Sequence, residues 1–445
     1  MGQLFGTDGI RGVANTELTP ELAVGLGRAL VRTLKEEGTA SPRVVVGRDP
    51  RASGEMLEAA LVAGICSAGG EAVVIGVIST PGVAYLTLSL AADSGAVISA
   101  SHNPVEDNGI KFFGRDGFKL SDDEEERISE LVHRADDDPP TGAAVGRVQQ
   151  RHEAVEDYTA HLVATAGGVE LSGLSVVIDC ANGAASEVAP TVLRRLGCEV
   201  TVIHALPDGT NINDGCGSAH PDVVAAAVVE TGVDIGLAHD GDADRLIAVD
   251  HTGTVVDGDT ILALLAARMH RGPGLDVVVT TVMTNLGFRQ AMEGLGIEVI
   301  QTKVGDRYVL EAMRAGGYVL GGEQSGHLIF AEHATTGDGV LTAVQLLSAM
   351  VEERACLAEL ATVMRRLPQV LVNVRGVDRR GLDAADRLWS AVAEAEATLG
   401  NAGRILVRAS GTEPIVRVMV EADSAERATE IAEGLASVAA EELRP

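Results

Sequence analysis

Three carboxylates stand on alternate residues at Asp240, Asp242 and Asp244, separated only by Gly241 and Ala243. Like charges held so close favour a cation between them, and an all-oxygen set suits a hard one, Mg2+, at one ion per chain. An EF-hand would need glycine sixth and glutamate twelfth, where this chain has Arg245 and His251. A second polar stretch, Ser99-Ala100-Ser101-His102-Asn103-Pro104, runs on through Asp107-Asn108-Gly109-Ile110-Lys111. Neighbours on a strand face opposite sides, so Ser101 and His102 do not read as a hydrolase pair, and the pattern G-x-S-x-G is missing. An unactivated serine is a weak nucleophile, so Ser101 needs a divalent ion and cationic side chains from elsewhere in the chain.

Further loops supply complementary groups. Gly321 to His327 offers a carboxylate (Glu323), a hydroxyl (Ser325) and an imidazole (His327), suited to sugar hydroxyls and proton transfer. It is not a P-loop, because His327 takes the lysine position and no Ser or Thr follows. Gly215 to His220 likewise fails the dinucleotide pattern at its third glycine. Arg408-Ala409-Ser410-Gly411-Thr412 combines a guanidinium, two hydroxyls and an approachable backbone amide, a phosphate cradle reinforced by Arg417. Near the N-terminus, Phe5 to Gly12 presents the single guanidinium of Arg11 on a glycine-rich loop, a fit for an anion. Together these imply phosphoryl transfer on a substrate that already carries phosphate.

The elements that must position these groups repeat. Three successive segments each read strand, helix, strand, helix, strand, polar loop, and the polar loops after the third strands are Ser99–Pro104, Asp240–Arg245 and Gly321–His327. Parallel α/β sheets place ligands beyond the carboxyl ends of their strands, so three such ends facing one cleft would gather the loops. After about residue 365 the pattern changes to a small α+β domain. The expected architecture is three similar mixed α/β domains around a central cleft, at 1–150, 151–255 and 256–365, plus a smaller α+β domain at 366–445. The run Asp136-Asp137-Asp138-Pro139-Pro140 reads as a linker, and Ser121 followed by acids reads as a helix start.

Composition narrows the partners. The 445 residues carry a formal charge of -29, which argues against nucleic acid and requires Arg and Lys to be gathered wherever phosphate binds. Aromatics are only 2%, so the cores must be built from Val, Leu, Ile and Ala. Five scattered cysteines make no zinc spacing and read as reduced cytoplasmic protein. Gly6 stands where a myristoylation motif wants Ser or Thr, and no apolar run reaches the ~18 residues of a membrane span. No membrane partner is expected, and a homodimer is admitted.

The Gly6–Gly12, Ser99–Lys111, Asp240–Arg245, Gly321–His327 and Arg408–Pro414 stretches resemble the α-D-phosphohexomutases, over essentially the whole chain. Narrower details, Asp179–Ala184, Asn211-Ile212-Asn213 with Cys216-Gly217-Ser218, Gln324 and Gly411, point within that family to a glucosamine phosphate substrate. The resemblance implies that Ser101 is a phosphoserine that donates its group to glucosamine 6-phosphate. The resulting 1,6-bisphosphate turns over and returns its other phosphate, leaving glucosamine 1-phosphate for amino-sugar nucleotide and cell-wall synthesis. It further implies that phosphorylated Ser101, Asp240, Asp242 and Asp244 hold Mg2+, that Arg11 and Lys111 flank the moving phosphate, and that Arg245 binds substrate. Glu323 and Ser325 would hold sugar hydroxyls with His327 assisting, while Arg408, Ser410, Gly411 and Thr412 grip the distant phosphate. Turnover of a bound bisphosphate requires the last domain to close and reopen as a lid. The alternatives are a mutase of glucose or mannose phosphate and a non-catalytic sugar-phosphate binder.

Overall fold

The computed structural model describes residues 4–6, 8–134, 138–272, 274–410 and 415–444. The chain forms two units, Met1–Val282 with Glu298–Thr362, and Met283–Ile297 with Val363–Pro445.

Three sheets lie in the first unit. The first contains β1 (Ile10–Val13), β2 (Arg43–Arg48), β3 (Glu71–Val77), β4 (Ser94–Ile98), β5 (Asp107–Gly114) and β6 (Val148–Gln150), in the order β1-β5-β4-β2-β3-β6. The second contains β7 (Ser175–Asp179), β8 (Glu199–Ile203), β9 (Ile235–His239), β10 (Leu246–Asp250) and β11 (Val255–Val256), ordered β11-β10-β9-β7-β8. The third contains β12 (Val277–Thr281), β13 (Glu298–Thr302), β14 (Leu320–Gly322) and β15 (Leu328–Phe330), ordered β13-β12-β14-β15.

One topology recurs. In each sheet the repeat's second, first and third strands run parallel, and an antiparallel strand returns beside the third. That returning strand was not read in the sequence, and it explains why the polar loops follow the third strands. Each loop is a hairpin with both ends pinned: Ile98 pairs with Ile110, His239 with Leu246, and Gly322 with Leu328. Lys111 therefore sits on a strand opposite Val97, not in a loop.

β4 and β9 are buried along their whole length, as expected for strands covered on both faces. In the first repeat, Leu26 and Leu30 from the helix Pro20–Glu36 share a core with Leu57, Leu61 and Ile65 from Ala52–Ser67 and with Val44, Val46 and Ile98 of the sheet. Caps set the helix starts: Thr19 accepts from the Leu22 amide, and Ser79 accepts from the Gly82 amide. The Ser79 cap starts its helix at Thr80, three residues ahead of the first apolar residue, Val83. Ser121 and Glu124 form a reciprocal capping box. Of the linker reading, Asp136 and Asp137 lie outside the described residues; Val148–Gln150 beyond them rejoins the first sheet beside β3. Two apolar helices, Gly258–Arg271 and Gly339–Glu353, went unread because their near-continuous burial leaves no polar stripe.

In the second unit, β16 (Gln369–Arg375), β17 (Arg404–Ala409) and β18 (Ile415–Glu421) form an antiparallel sheet ordered β16-β18-β17. Helices Asp386–Leu399 and Ala425–Glu442 contribute Leu388, Val392, Ala428, Ala432 and Ala439 to its core. The helix Leu286–Leu295, which follows β12 in sequence, belongs to this unit. Its start is tied there by Glu421, which accepts from the Leu286 amide at 2.8 Å.

Candidate active site

The hairpin between β9 and β10 holds Asp240, Asp242 and Asp244, all buried, with one oxygen of each within 4.8 Å of the others. Ala243 takes a left-handed backbone (φ 56°) between the last two carboxylates. Asp242 Oδ1 and Asp244 Oδ1 are buried without a hydrogen-bond partner among the described residues. A buried acceptor left unsatisfied costs about 1–3 kcal/mol, and two beside a third carboxylate fit a bound cation. Burial, then Asp244 and Asp242, pushes the Asp240 carboxyl well above its usual range. Burial also works against the Asp244 charge, but His327 and Arg245 outweigh it and hold that carboxyl below its usual range.

Ser101 comes to this loop from the β4–β5 hairpin. Its Oγ donates to Asp240 Oδ2 at 2.6 Å, and its backbone is left-handed (φ 51°). The strand ends at Ile98, so the alternation used to set His102 aside does not reach Ser101. His102 Nδ1 lies 3.5 Å from Oγ, and burial, with Arg245 and Arg11, lowers that imidazole to about 4. The Ser101 hydroxyl is committed to Asp240 instead. The two hairpins touch through glycine: a Cβ on Gly241 would stand 2.6 Å from the Ser101 carbonyl oxygen.

Cations surround the pair. Lys111 Nζ lies 3.5 Å from Asp242 and 3.1 Å from Asp8; burial opposes its charge, yet Asp8 and Asp242 raise its pKa. Arg11 pairs with Asp8 and donates to Asn103 Oδ1 at 3.4 Å. Arg245 Nε is 3.6 Å from Asp244 and 4.0 Å from Asp240. From the third repeat, His327 Nδ1 lies 3.4 Å from Asp244; against burial, Asp244, Asp306 and Glu323 raise the imidazole to about 9. Glu323 accepts from the Gly305 amide at 3.2 Å, and burial raises its pKa. The Ser325 Oγ is buried without a hydrogen-bond partner among the described residues.

Sequence reading missed three residues that link these groups into an arc of alternating charge running from Asp242 to Asp244. Asp242 faces Lys111, Lys111 faces Asp8, and Asp8 meets Lys119 at 2.8 Å. Lys119 then pairs with Asp306, whose Oδ2 is 3.8 Å from His327, and His327 returns to Asp244. Asp8 stands beside Gly9 in a loop already of interest, which was the available signal; nothing local marks Lys119 or Asp306.

A second mixed group joins Asp179 at the end of β7, His204 just after β8 and Cys216 just before the turn Gly217–Ala219. Its carboxylate is filled by the Ala181 and Gly217 amides and by His204 Nδ1, at 2.9, 3.0 and 3.0 Å, and so organises the surrounding loops. In the second unit, Arg408 lies opposite Arg417 across β17 and β18; burial, then Arg417, lowers the Arg408 pKa. The Ser410 amide donates to the Ile415 carbonyl at 2.9 Å, while Gly411 and Thr412 lie outside the described residues.

Family models described as phosphoglucomutase/phosphomannomutase match in four pieces: alpha/beta/alpha domain I at residues 2–138, domain II at 156–253, domain III at 257–367, and the C-terminal domain at 371–438. The chain belongs to this family. Among phosphoglucomutase/phosphomannomutase relatives, it is 56% identical to a phosphoglucosamine mutase of Streptomyces coelicolor over 98% of each chain. It is 57% identical to one of Moorella thermoacetica over 99% of each. Among solved structures, a phosphoglucomutase/phosphomannomutase family protein of Burkholderia thailandensis superposes with TM-score 0.83 at 26% identity, covering 98% of this chain and 96% of that one. The N-acetylphosphoglucosamine mutase of Aspergillus fumigatus, solved with GlcNAc-6P and magnesium, shares the fold with TM-score 0.72 at 18% identity, covering 99% and 96%.

Proposed function

We propose that the chain interconverts glucosamine 6-phosphate and glucosamine 1-phosphate through a phosphorylated Ser101 and a bound 1,6-bisphosphate. The observation that carries this is the Ser101 hydroxyl seated 2.6 Å from Asp240 at the edge of a three-carboxylate cluster, with Lys111 against Asp242. The full-length phosphoglucosamine mutase relatives support the choice of amino sugar.

Asp240, Asp242 and Asp244, with a phosphate on Ser101, would hold Mg2+, which when bound offsets negative charge on the group being transferred. As the sugar hydroxyl oxygen bonds to phosphorus, the bond from phosphorus to Ser101 Oγ breaks; the attacking hydroxyl gives up its proton and the departing Oγ takes one up, so Ser101 returns to a neutral hydroxyl. Asp8 and Asp242 raise the Lys111 pKa, so the ammonium keeps its protons and serves as a charge stabiliser and hydrogen-bond donor toward the transferring group. Arg11 and Arg245 bring guanidinium charge to the same end. Glu323, Ser325 and His327 form the sugar-facing loop, His327 holding a proton at neutral pH. Arg408, Ser410, Gly411 and Thr412 would grip the distant phosphate.

We place the domain boundaries near 150, 255 and 365 and the enzyme in the cytoplasm, in keeping with five free cysteines. Among the described residues no helix is long and apolar enough to cross a membrane. Comparing kcat/KM for glucosamine, glucose and mannose 6-phosphates tests the assignment; clear preference for a neutral hexose would overturn it.

A further inference from the structure

The backbone carbonyls of Ser101 and Asn103 each accept from two side chains belonging to different repeats. Arg51 Nη2 donates to them at 3.0 and 2.8 Å, and Asn213 Nδ2 at 2.9 and 3.1 Å. Both acceptors are carbonyls, so the Asn213 amide can only present its nitrogen, and both its hydrogens are used. Arg51 is fully buried, pairs with Asp49 at 2.9 Å, and also donates to the Pro104 and Asp107 carbonyls. Asp49 in turn accepts from the Ser99 hydroxyl, whose oxygen accepts from the Ser101 amide.

This network holds Ser101 in a left-handed conformation that costs a non-glycine residue roughly 1–2 kcal/mol. Asn213 is the part of it that reaches across from the second repeat. Its own backbone is left-handed (φ 58°), and its amide N–H is tied at 2.9 Å to the carbonyl of Ala181, whose N–H rests on Asp179. A Cβ on Gly241 would stand 2.9 Å from Asn213 Nδ2. The amide thus lies wedged between the Ser101 carbonyl and the loop carrying Asp240 and Asp242.

We infer that Asn213 is a positioning residue for Ser101, its amide nitrogen locking the Ser101 and Asn103 carbonyls so that Oγ stays aimed at Asp240. This rests on the reading of Ser101 as the phosphoryl carrier. Arg51 is the poorer probe, because removing it strands buried Asp49 and confounds folding with function.

Two variants keep the left-handed backbone affordable. Asn213→Gly deletes the amide without strain, and Asn213→Asp keeps shape and turn preference but sets oxygen against two carbonyls. The expected order of kcat is wild type, then Gly, then Asp, with a loss of roughly 10- to 100-fold for Gly and an unchanged KM for glucosamine 6-phosphate. The rate at which glucosamine 1,6-bisphosphate labels Ser101 in a single turnover should fall by the same factor. An Asp variant at or above the Gly variant would show that shape alone matters and overturn the inference. A raised KM at unchanged kcat would make Asn213 a substrate contact and overturn it also. Thermal melts check folding, and if the Gly variant melts early, Asn213→Ser must still outperform Asp. Should wild-type protein itself take no label, the phosphoserine reading fails; should wild type and Gly label equally fast, only the role of Asn213 fails.

Discussion

The hydroxyl of Ser101, on the first repeat's hairpin, donates at 2.6 Å to the carboxylate of Asp240 on the second repeat's hairpin. Both residues are buried, and Asp240 is the carboxyl whose pKa is pushed well up by burial and its two neighbours. The proposed phosphoryl carrier and a candidate metal ligand are thus joined directly by a hydrogen bond.

Removing one charge from the acidic cluster should have opposite effects with and without metal. In chelated protein, Asp240→Asn relieves like-charge repulsion and should raise Tm slightly. With Mg2+, wild type should gain Tm by mass action while the variant gains little and turns over poorly. Calorimetry across a Mg2+ titration checks both; equal Mg2+ shifts in the two proteins would remove Asp240 from the ligand set.

Lys119 sits half-buried between Asp8 and Asp306, which together hold its charge against desolvation and raise its pKa. Lys119→Met leaves two half-buried carboxylates without the cation between them, although Lys111 and Arg11 stay beside Asp8 and His327 beside Asp306, and should cost roughly 1–3 kcal/mol in urea unfolding. Adding Asp306→Asn should restore part of that loss. Additive rather than compensating effects would mean that the pair is not coupled.

Asp338 caps the helix Gly339–Glu353 and accepts from the Tyr158 hydroxyl at 2.6 Å. Burial pushes its carboxyl up to about 6. A folded pKa above the unfolded one means that its stabilisation is complete below the unfolded value of 3.8 and is lost as pH rises through about 6. Asp338→Asn stays neutral, so wild-type stability relative to the variant should fall by about 2–3 kcal/mol between about pH 4 and pH 7. A flat difference curve would contradict the raised pKa.

Local spacing made much of this site legible. Asp240, Asp242 and Asp244 stand on alternate residues, so their convergence needed only a hairpin, and the threefold repeat was visible in the order of apolar runs and polar loops. Asp8, Lys119 and Asp306 were not, because Lys119 lies 111 residues from Asp8 and 187 from Asp306 along the chain. Arg51 went unmarked because, Asp49 apart, its acceptors are backbone carbonyls, which carry no side-chain signature. Asn213 stood out as a motif residue, yet its partner across the hairpin is likewise a carbonyl. Lys111 was placed in a loop because a returning antiparallel strand with Asn108 and Gly109 near its start resembles a turn.

The most direct measurement is the intact mass of wild type and Ser101→Ala after incubation with glucosamine 1,6-bisphosphate and Mg2+. The account predicts one phosphoryl adduct on wild type, located on Ser101, and none on the variant. No adduct on wild type, or an equal adduct on both, would contradict it.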